Sequence, residues 1–306
     1  MNIIIGAEEV IITKKPKVIT IGVFDGVHLG HISVLKALQK MADDKDAETY
    51  LLTFMPHPKQ VLHADEEFRL LNLFDEKLEL LQKTPLQNLI IYPFTKELSQ
   101  YSAEEFVKNI LIDTLQIQTL LIGYDHKFGK NRQGDFHHLA KLQEKYNFEL
   151  IQLPELKNNH QKISSTEIRN YLKNGKIIDA NALLGYDYFI EGFVIEGNKL
   201  GKTIGFPTAN LQVDASKLLP KNGSYIVEIF FDDQKFSGMM NIGKRPTVDG
   251  KKQSIEVNIF GFEGDLYGKK LRVAFKDFLR DEVKFNSLEQ LRTQLREDLI
   301  RSKKFF

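Results

Sequence analysis

The 306-residue chain has no cysteine, which excludes disulfides, thiolate metal sites and thiol nucleophiles. It also lacks charge of one dominant sign. With 42 Lys and Arg against 41 Asp and Glu, the formal charge is +1, too little to build a broad field for gripping a nucleic acid. Any phosphate bound here is bound locally. Long apolar runs are missing too: Ile3–Ile5 and Val10–Ile12 are short and separated by Glu8 and Glu9, far below the roughly 18 residues of a membrane span. With no export signal read in the sequence, the expected compartment is the cytoplasm, with no membrane and no nucleic-acid partner. Internal repeats and low-complexity tracts are absent from the sequence.

An apolar share of 42% and a length near twice that of an ordinary domain predict two cores. Up to about Leu153, short Ile/Leu/Val-rich runs alternate with amphipathic segments, as in a parallel sheet wrapped by helices. The predicted strands are Val18–Phe24, Thr49–Phe54, Leu89–Tyr92, Thr119–Ile122 and Phe148–Leu153. Ser102 followed by Glu105 marks a helix start whose apolar face is Phe106, Ile110 and Leu111. One helix is predicted from about Thr166 to Leu184, ending at Gly185. Beyond it, Phe189–Ile195, Tyr225–Phe231, Ser237–Ile242, Ser254–Phe260 and Leu271–Phe278 follow one another across turn clusters, which argues an antiparallel barrel. Ser287 and Gln290 open a last helix, with Leu288, Leu291, Leu295 and Leu299 expected to dock one face. The domains are therefore placed at 1–184 and 185–306.

Two segments carry the chemistry. In the first, a strand runs into Gly22-Val23-Phe24-Asp25-Gly26-Val27-His28-Leu29-Gly30-His31 and then a helix. Such a turn offers unpaired amides and a positive dipole end to phosphate. Gly30 leaves room for a close ligand, and His28 and His31 can donate to oxygens that gain charge at a reacting phosphorus. The glycine spacing is wrong for a dinucleotide-binding G-x-G-x-x-G. Taken alone, two solvated histidines at a surface turn is an equal reading. Downstream, Ser164, Ser165 and Thr166 precede Arg169 by one helical turn, a shape suited to a triphosphate and equally to a helix cap.

In the second segment, Gly201-Lys202-Thr203 resembles the end of a P-loop, but position 196, where a Walker motif needs glycine, is Glu. The more informative run is Gly205-Phe206-Pro207-Thr208-Ala209-Asn210. Pro207 fixes the backbone beside a Gly-rich flap, and the Thr208 hydroxyl and Asn210 amide are hard oxygen ligands suited to Mg²⁺. A tight hairpin loop is the structural alternative.

The His28-x-Gly30-His31 and Ser164-Ser165-Thr166-x-Ile168-Arg169 signatures are similar to those of the bacterial bifunctional riboflavin kinase/FMN adenylyltransferases, the FAD synthetases. From about Tyr188 the chain resembles their kinase module, through 201–211, Asn241–Thr247, Asp265–Gly268 and Phe278–Glu282, together with Leu183-Leu184-Gly185 just upstream. The resemblance implies a Rossmann-like nucleotidyltransferase α/β sheet followed by a riboflavin-kinase-type antiparallel β-barrel with a C-terminal helix, an α/β plus all-β architecture. It implies that riboflavin and ATP give FMN, and that FMN and a second ATP give FAD and pyrophosphate, with Mg²⁺ as cofactor.

By that resemblance, Gly22, Phe24 and Gly30 border the adenylyl donor, His28 and His31 steady its reacting phosphates, and Ser164, Ser165, Thr166 and Arg169 hold the outer ones. Asp125 contacts the nucleoside. Thr53-Phe54-Met55-Pro56-His57-Pro58 is a mobile loop near the ligands, with His57 and Pro58 at the flavin. In the kinase half, Glu256 acts as general base, Gly201 and Lys202 lie by ATP, Thr208 and Asn210 organise Mg²⁺ and ATP, and Arg280 and Glu282 meet the flavin. His126, Asn258, Gly261 and Tyr186-Asp187 depart from the family pattern. Alternatives are a chain with one working half, the kinase being the suspect, and a flavin- or nucleotide-binding regulator without turnover. An aminoacyl-tRNA synthetase is disfavoured because the Lys-Met-Ser-Lys-Ser loop is missing. The quaternary state is open between monomer and weak oligomer.

Overall fold

The computed structural model describes residues 1–10, 15–63, 67–124, 128–130, 133–158, 161–197, 201, 204–247 and 250–306. The chain divides into two compact units, Met1–Ser164 and Ser165–Phe306.

The first unit is built on a six-stranded parallel sheet in the order β1-β4-β3-β2-β5-β6. Its strands are β1 (Asn2–Ile5), β2 (Lys17–Ile21), β3 (Glu48–Met55), β4 (Asn88–Pro93), β5 (Thr119–Ile122) and β6 (Glu149–Gln152). Alternate residues feed two cores, one on each face. Ile19, Leu52 and Leu120 face Phe106, Ile110 and Leu111, while Val18, Leu51 and Leu121 face Leu35 and Leu38 of α1 (Leu29–Asp44) and Leu81 of α3 (Phe74–Gln82). Burial on both faces is why these strands read as unbroken apolar runs. The helix predicted at Ser102 is present: Ser102 and Glu105 cap each other at the start of α4 (Ala103–Phe106), which continues as a π-helical stretch to Thr114. The remaining elements are α2 (Pro58–Leu62), α5 (Phe136–Tyr146) and a short hairpin of β7 (Lys157–Asn158) and β8 (Gln161–Lys162). β1 was not predicted. It is an edge strand with Ile3 and Ile5 largely exposed, so its three isoleucines lack the burial on both faces that marks the inner strands.

In the second unit, the single helix expected over 166–184 is two, α6 (Ser165–Lys173) and α7 (Ile177–Leu184). The break is at Gly175, whose φ of +75° is left-handed and whose Cα faces the Phe278 ring. Six antiparallel strands then close a barrel in the order β10-β13-β12-β11-β14-β9. They are β9 (Phe189–Ile195), β10 (Ala209–Val213), β11 (Gly223–Phe231), β12 (Gln234–Thr247), β13 (Gly250–Ile259) and β14 (Lys270–Arg280). β10 joins β9 to β13 and so completes the closure. Helix α8 (Leu288–Phe305) begins at the predicted cap, with Ser287 Oγ accepting from Gln290 N–H. Its docking face differs from the expectation. Leu288 is 55% exposed, and the most buried positions are Asp298 and Ser302. The packed stretch starts one turn later than the leucine repeat, and a buried ion pair rather than a fourth leucine anchors it.

Candidate active sites

In the sheet of the first unit the winding direction reverses between β2 and β5, and ligands of open α/β sheets bind beyond the carboxyl ends of strands at such a switch. The loops that leave these two strands begin at Gly22 and Gly123, which puts the His28–His31 turn at the expected crevice. Asp125 and His126 of the second loop lie outside the described residues.

The loop after β2 is an unusual piece of backbone. Phe24, Gly26 and Val27 have φ of +54°, +93° and +35°, and for a β-branched residue such as Val27 that is a strained conformation. A Cβ on Gly22 would lie 2.9 Å from the Phe24 ring. Buried polar contacts hold the loop in place. The Asp25 carboxylate accepts from the N–H groups of Leu71 (3.0 Å) and Asn72 (3.2 Å). The Thr53 hydroxyl donates to the Val23 carbonyl at 3.1 Å, and the Lys77 ammonium donates to both the Val23 carbonyl and Thr53 Oγ1 at 3.3 Å. Burial pushes the Lys77 pKa down to about 8 against the opposing pull of Asp25.

The loop delivers His28 to the N-cap of α1, where its Nδ1 accepts from the His31 N–H at 3.3 Å. A neutral His28 therefore carries its proton on Nε2, as a donor. The His31 ring stacks on His28 (3.6 Å between centroids) and on Phe24 (4.4 Å). Burial, followed by the His28 and Lys77 charges, holds the His31 pKa well below the usual imidazole value. His31 Nδ1 is buried and has no hydrogen-bond partner among the described residues. Gly30 makes room chiefly for His28: a Cβ there would lie 3.1 Å from the imidazole. The same point lies 3.7 Å from Ile163, the neighbour of Ser164.

His57 caps α2 through Nδ1, accepting from Lys59 N–H, and its ring rests 4.4 Å from Phe68, with Pro58 as the first helical residue. Ser164 ends the first unit, and Ser165 and Thr166 open α6 in the second. Arg169 Nη1 donates to the Ser165 carbonyl at 3.1 Å.

The barrel contains a cavity of about 280 Å³, bordered by Thr208, Asn210, Glu256, Arg280, Glu282 and Leu295. Strand register builds its polar wall. Glu256 on β13 is opposite Asn210 on β10 and Asn241 on β12. Its Oε2 accepts from the Thr208 hydroxyl at 3.4 Å, and its Oε1 from Ser254 Oγ at 3.1 Å. Gly201 contributes backbone: its carbonyl accepts from Phe206 N–H at 2.8 Å, and a Cβ would collide with the Phe206 carbonyl. Lys202 lies outside the described residues.

The departures from the family pattern acquire local reasons. Asn258 donates from Nδ2 to the Pro207 carbonyl at 2.7 Å, holding the turn that presents Thr208. Gly261 is left-handed at φ +68° in the turn after β13. Asp187 accepts from Lys276 Nζ at 2.7 Å and from Asn181 Nδ2 at 3.1 Å.

At the other wall, Arg280 grips Asp298 with Nε (3.0 Å) and Nη2 (2.7 Å). Glu282 accepts from Asn222 Nδ2 at 3.1 Å, and its other oxygen occupies the space where a Cβ on Gly243 would stand. Sequence reasoning did not single out Lys77, Asp298 or Ser254. Each gains its meaning from a tertiary contact, and only Glu256, two residues away, placed Ser254 within reach of inspection.

Two family models cover the chain in succession: FAD synthetase over residues 11–167 and riboflavin kinase over residues 184–306. Similar curated proteins include the bifunctional riboflavin kinase/FMN adenylyltransferase of Listeria monocytogenes, 38% identical, covering 96% of this chain and 94% of that protein. The protein of the same description from Haemophilus influenzae is 38% identical over 94% of each chain, and that from Escherichia coli 33% identical over 94% of this chain and 92% of its own. Among solved structures, one described as a macrolide-efflux protein from Streptococcus pneumoniae matches with a TM-score of 0.88, 30% identity and 99% coverage of both chains. Among the described residues no helix is long and apolar enough to cross a membrane. With both models matched in order and curated relatives aligned over nearly its whole length, this chain belongs to the bifunctional riboflavin kinase/FMN adenylyltransferase family, which converts riboflavin to FMN and FMN to FAD.

Proposed function

We propose that the two reactions are run by separate residue sets, one in each module, with the module boundary at Leu184/Gly185. The observation that carries this reading is the existence of two polar constellations, His28–His31 at the turn from β2 into α1 and Thr208–Asn210–Glu256 in the barrel.

In adenylyl transfer an FMN phosphate oxygen attacks the α-phosphorus of ATP, the bond to the bridging α–β oxygen breaks, and pyrophosphate leaves. The backbone of Gly22, Phe24 and Gly30 and the N-terminus of α1 receive the phosphates. His28 Nε2–H and neutral His31 donate to the oxygens that gain charge, and Ser164, Ser165, Thr166 and Arg169 hold the leaving group. Asp125 orients the nucleoside, and His57 and Pro58 border the flavin. Each positioned donor contributes on the order of a hundredfold or more in rate.

In the kinase reaction the riboflavin 5′-hydroxyl attacks the γ-phosphorus, its proton passes to Glu256, and ADP leaves. Ser254 and Thr208 hold the Glu256 carboxylate in place by hydrogen bonds. Gly201 and Lys202 lie against ATP, and Arg280 and Glu282 border the flavin. The Thr208 hydroxyl and Asn210 amide fit Mg²⁺ as hard oxygen donors beside a carboxylate. When bound, the metal supplies neutralisation of phosphate charge. The cytoplasm is the compartment proposed, since both steps draw on ATP.

Chromatography of riboflavin, FMN and FAD during turnover tests the assignment. His28→Ala is expected to stop FAD formation from FMN while FMN formation continues, and Glu256→Ala to do the reverse. A single substitution that abolished both reactions would contradict the separation.

A further inference from the structure

We propose that Lys77 is a positioning residue for adenylyl transfer: its ammonium, reaching from α3 to the Val23 carbonyl and the Thr53 hydroxyl, locks the strained turn that aims His28 and His31. The inference rests on the assignment of those two histidines to the adenylyl site.

Lys77 is 7% exposed and Thr53 fully buried. Burying an ammonium costs several kcal/mol unless good hydrogen bonds and opposite charge compensate, and an apolar side chain of the same length would avoid that cost. What the charge secures is visible in its contacts. Thr53 uses its one hydroxyl proton on Val23 O, accepts from Lys77, and so closes a three-membered ring of hydrogen bonds around a single backbone carbonyl. That carbonyl lies where β2 has ended and the left-handed residues begin. Fixing it fixes the plane of the Val23–Phe24 peptide, and Phe24 then leaves in its left-handed conformation. His31 is the middle member of a three-ring stack, with Phe24 on one face and His28 on the other. A chain of contiguous contacts thus runs from the Lys77 ammonium to both imidazoles.

A second anchor acts from the segment just before the same helix. Leu71 and Asn72 donate their N–H groups to Asp25, two residues beyond Val23. Strained backbone persists where the surroundings over-determine it, and here α3 and its lead-in hold the loop by a cation on one side and two amides on the other. Charge adds to geometry. The groups that bear on His31 are His28 from α1 and Lys77 from α3, and both disfavour its protonation. Asp25 is the opposing charge that bears on Lys77. Lys77 therefore helps keep His31 neutral, able to both donate and accept.

The test compares Lys77→Met, Lys77→Arg and His28→Ala in the full chain, with riboflavin phosphorylation as the internal control. For Lys77→Met, kcat for FAD formation from FMN is expected to fall about a hundredfold, as for a misplacement of about 1 Å at a reacting centre. KM for FMN and ATP should stay within about threefold, since the interaction lost is one that acts in the transition state. FMN formation should be unchanged, and the His31 resonance should titrate at higher pH once the neighbouring cation is gone. Lys77→Arg, which keeps charge and donors, should recover part of the rate. Wild-type FAD formation in Lys77→Met alongside collapse in His28→Ala overturns the role of Lys77 and leaves the histidine assignment standing. Full activity in His28→Ala overturns the assignment itself. Should Lys77→Met fail to fold, Thr53→Val removes the hydroxyl from the ring and keeps the cation: a kcat loss of about tenfold supports the proposal, and an unchanged kcat overturns it.

Discussion

Asp298 is 1% exposed and its carboxylate accepts from Arg280 Nε and Nη2 and from Gln294 Nε2. It is the chief polar tie between α8 and the barrel, on the wall that Leu295 shares with Arg280. In Asp298→Ala a guanidinium whose side chain is only 16% exposed loses its counter-ion. Breaking one partner of a buried pair costs about 3–5 kcal/mol, and the residual access of water to Arg280 argues for the lower end, about 3 kcal/mol. For a unit of this size that corresponds to a fall in melting temperature of roughly 6–12 °C. Because the chain has two compact units, a single global melting temperature is poorly defined. The appropriate assay is residual activity after timed heating, with riboflavin phosphorylation and FMN adenylylation measured on the same sample. Kinase activity should be lost at the lower temperature and adenylylation at the wild-type one. A double-mutant cycle with Arg280→Met should give a coupling of at least about 2 kcal/mol. Additive single losses, or simultaneous decay of both activities, would refute the argument that this pair anchors the kinase wall.

Other outcomes follow from the same geometry. Lys77 has an unfolded-state pKa near 10.5 and a folded one of about 8. The unfolded chain thus holds the extra proton between those values, and the contribution of this group to stability rises with pH across that window. At pH 7 both states are protonated and the folded state bears the desolvation cost, so Lys77→Met should raise stability by up to about 3 kcal/mol in denaturant titration while slowing adenylylation. For His31, whose folded pKa lies below the usual imidazole value, stability should be complete above about pH 6.5 and fall as the pH drops toward the folded pKa. Measurement on His31→Gln should flatten that acid limb. Gly243→Ala would drive a methyl group into the Glu282 carboxylate, and the expected result is weaker riboflavin binding with adenylylation intact, read from the riboflavin KM. Asn258→Ala should free the Pro207 carbonyl and lower kinase kcat by about tenfold.

The inner strands of the first unit were legible because their burial pattern is continuous, as in Val18–Ile21 and Thr119–Ile122. β10 was not. Ala209–Val213 mixes Asn, Gln and apolar residues, and its role is to close the barrel by joining β9 to β13, a strand distant in the chain. The shifted face of α8 was missed because Arg280, which pairs with Asp298, lies on a different element, while the break at Gly175 is a left-handed glycine inside an otherwise helical pattern. At the turn after β2, the helix start that carries His28, Gly30 and His31 was readable because a helix cap is a local object. Lys77 was not, since the carbonyl it holds is 54 residues upstream and its own helix reads as ordinary amphipathic structure. In the barrel, resemblance assigns Glu256 its role, and it is cross-strand register that places Asn210 and Asn241 on either side of it.

The central claim, two reactions on one chain at two independent sites, is tested most directly by mixing. His28→Ala and Glu256→Ala proteins are incubated together with riboflavin, ATP and Mg²⁺, and the flavins are separated over time. The account predicts that neither variant alone makes FAD from riboflavin, and that the mixture does, with FMN accumulating first. A mixture that yields FMN and no FAD, or no flavin nucleotide at all, would contradict it.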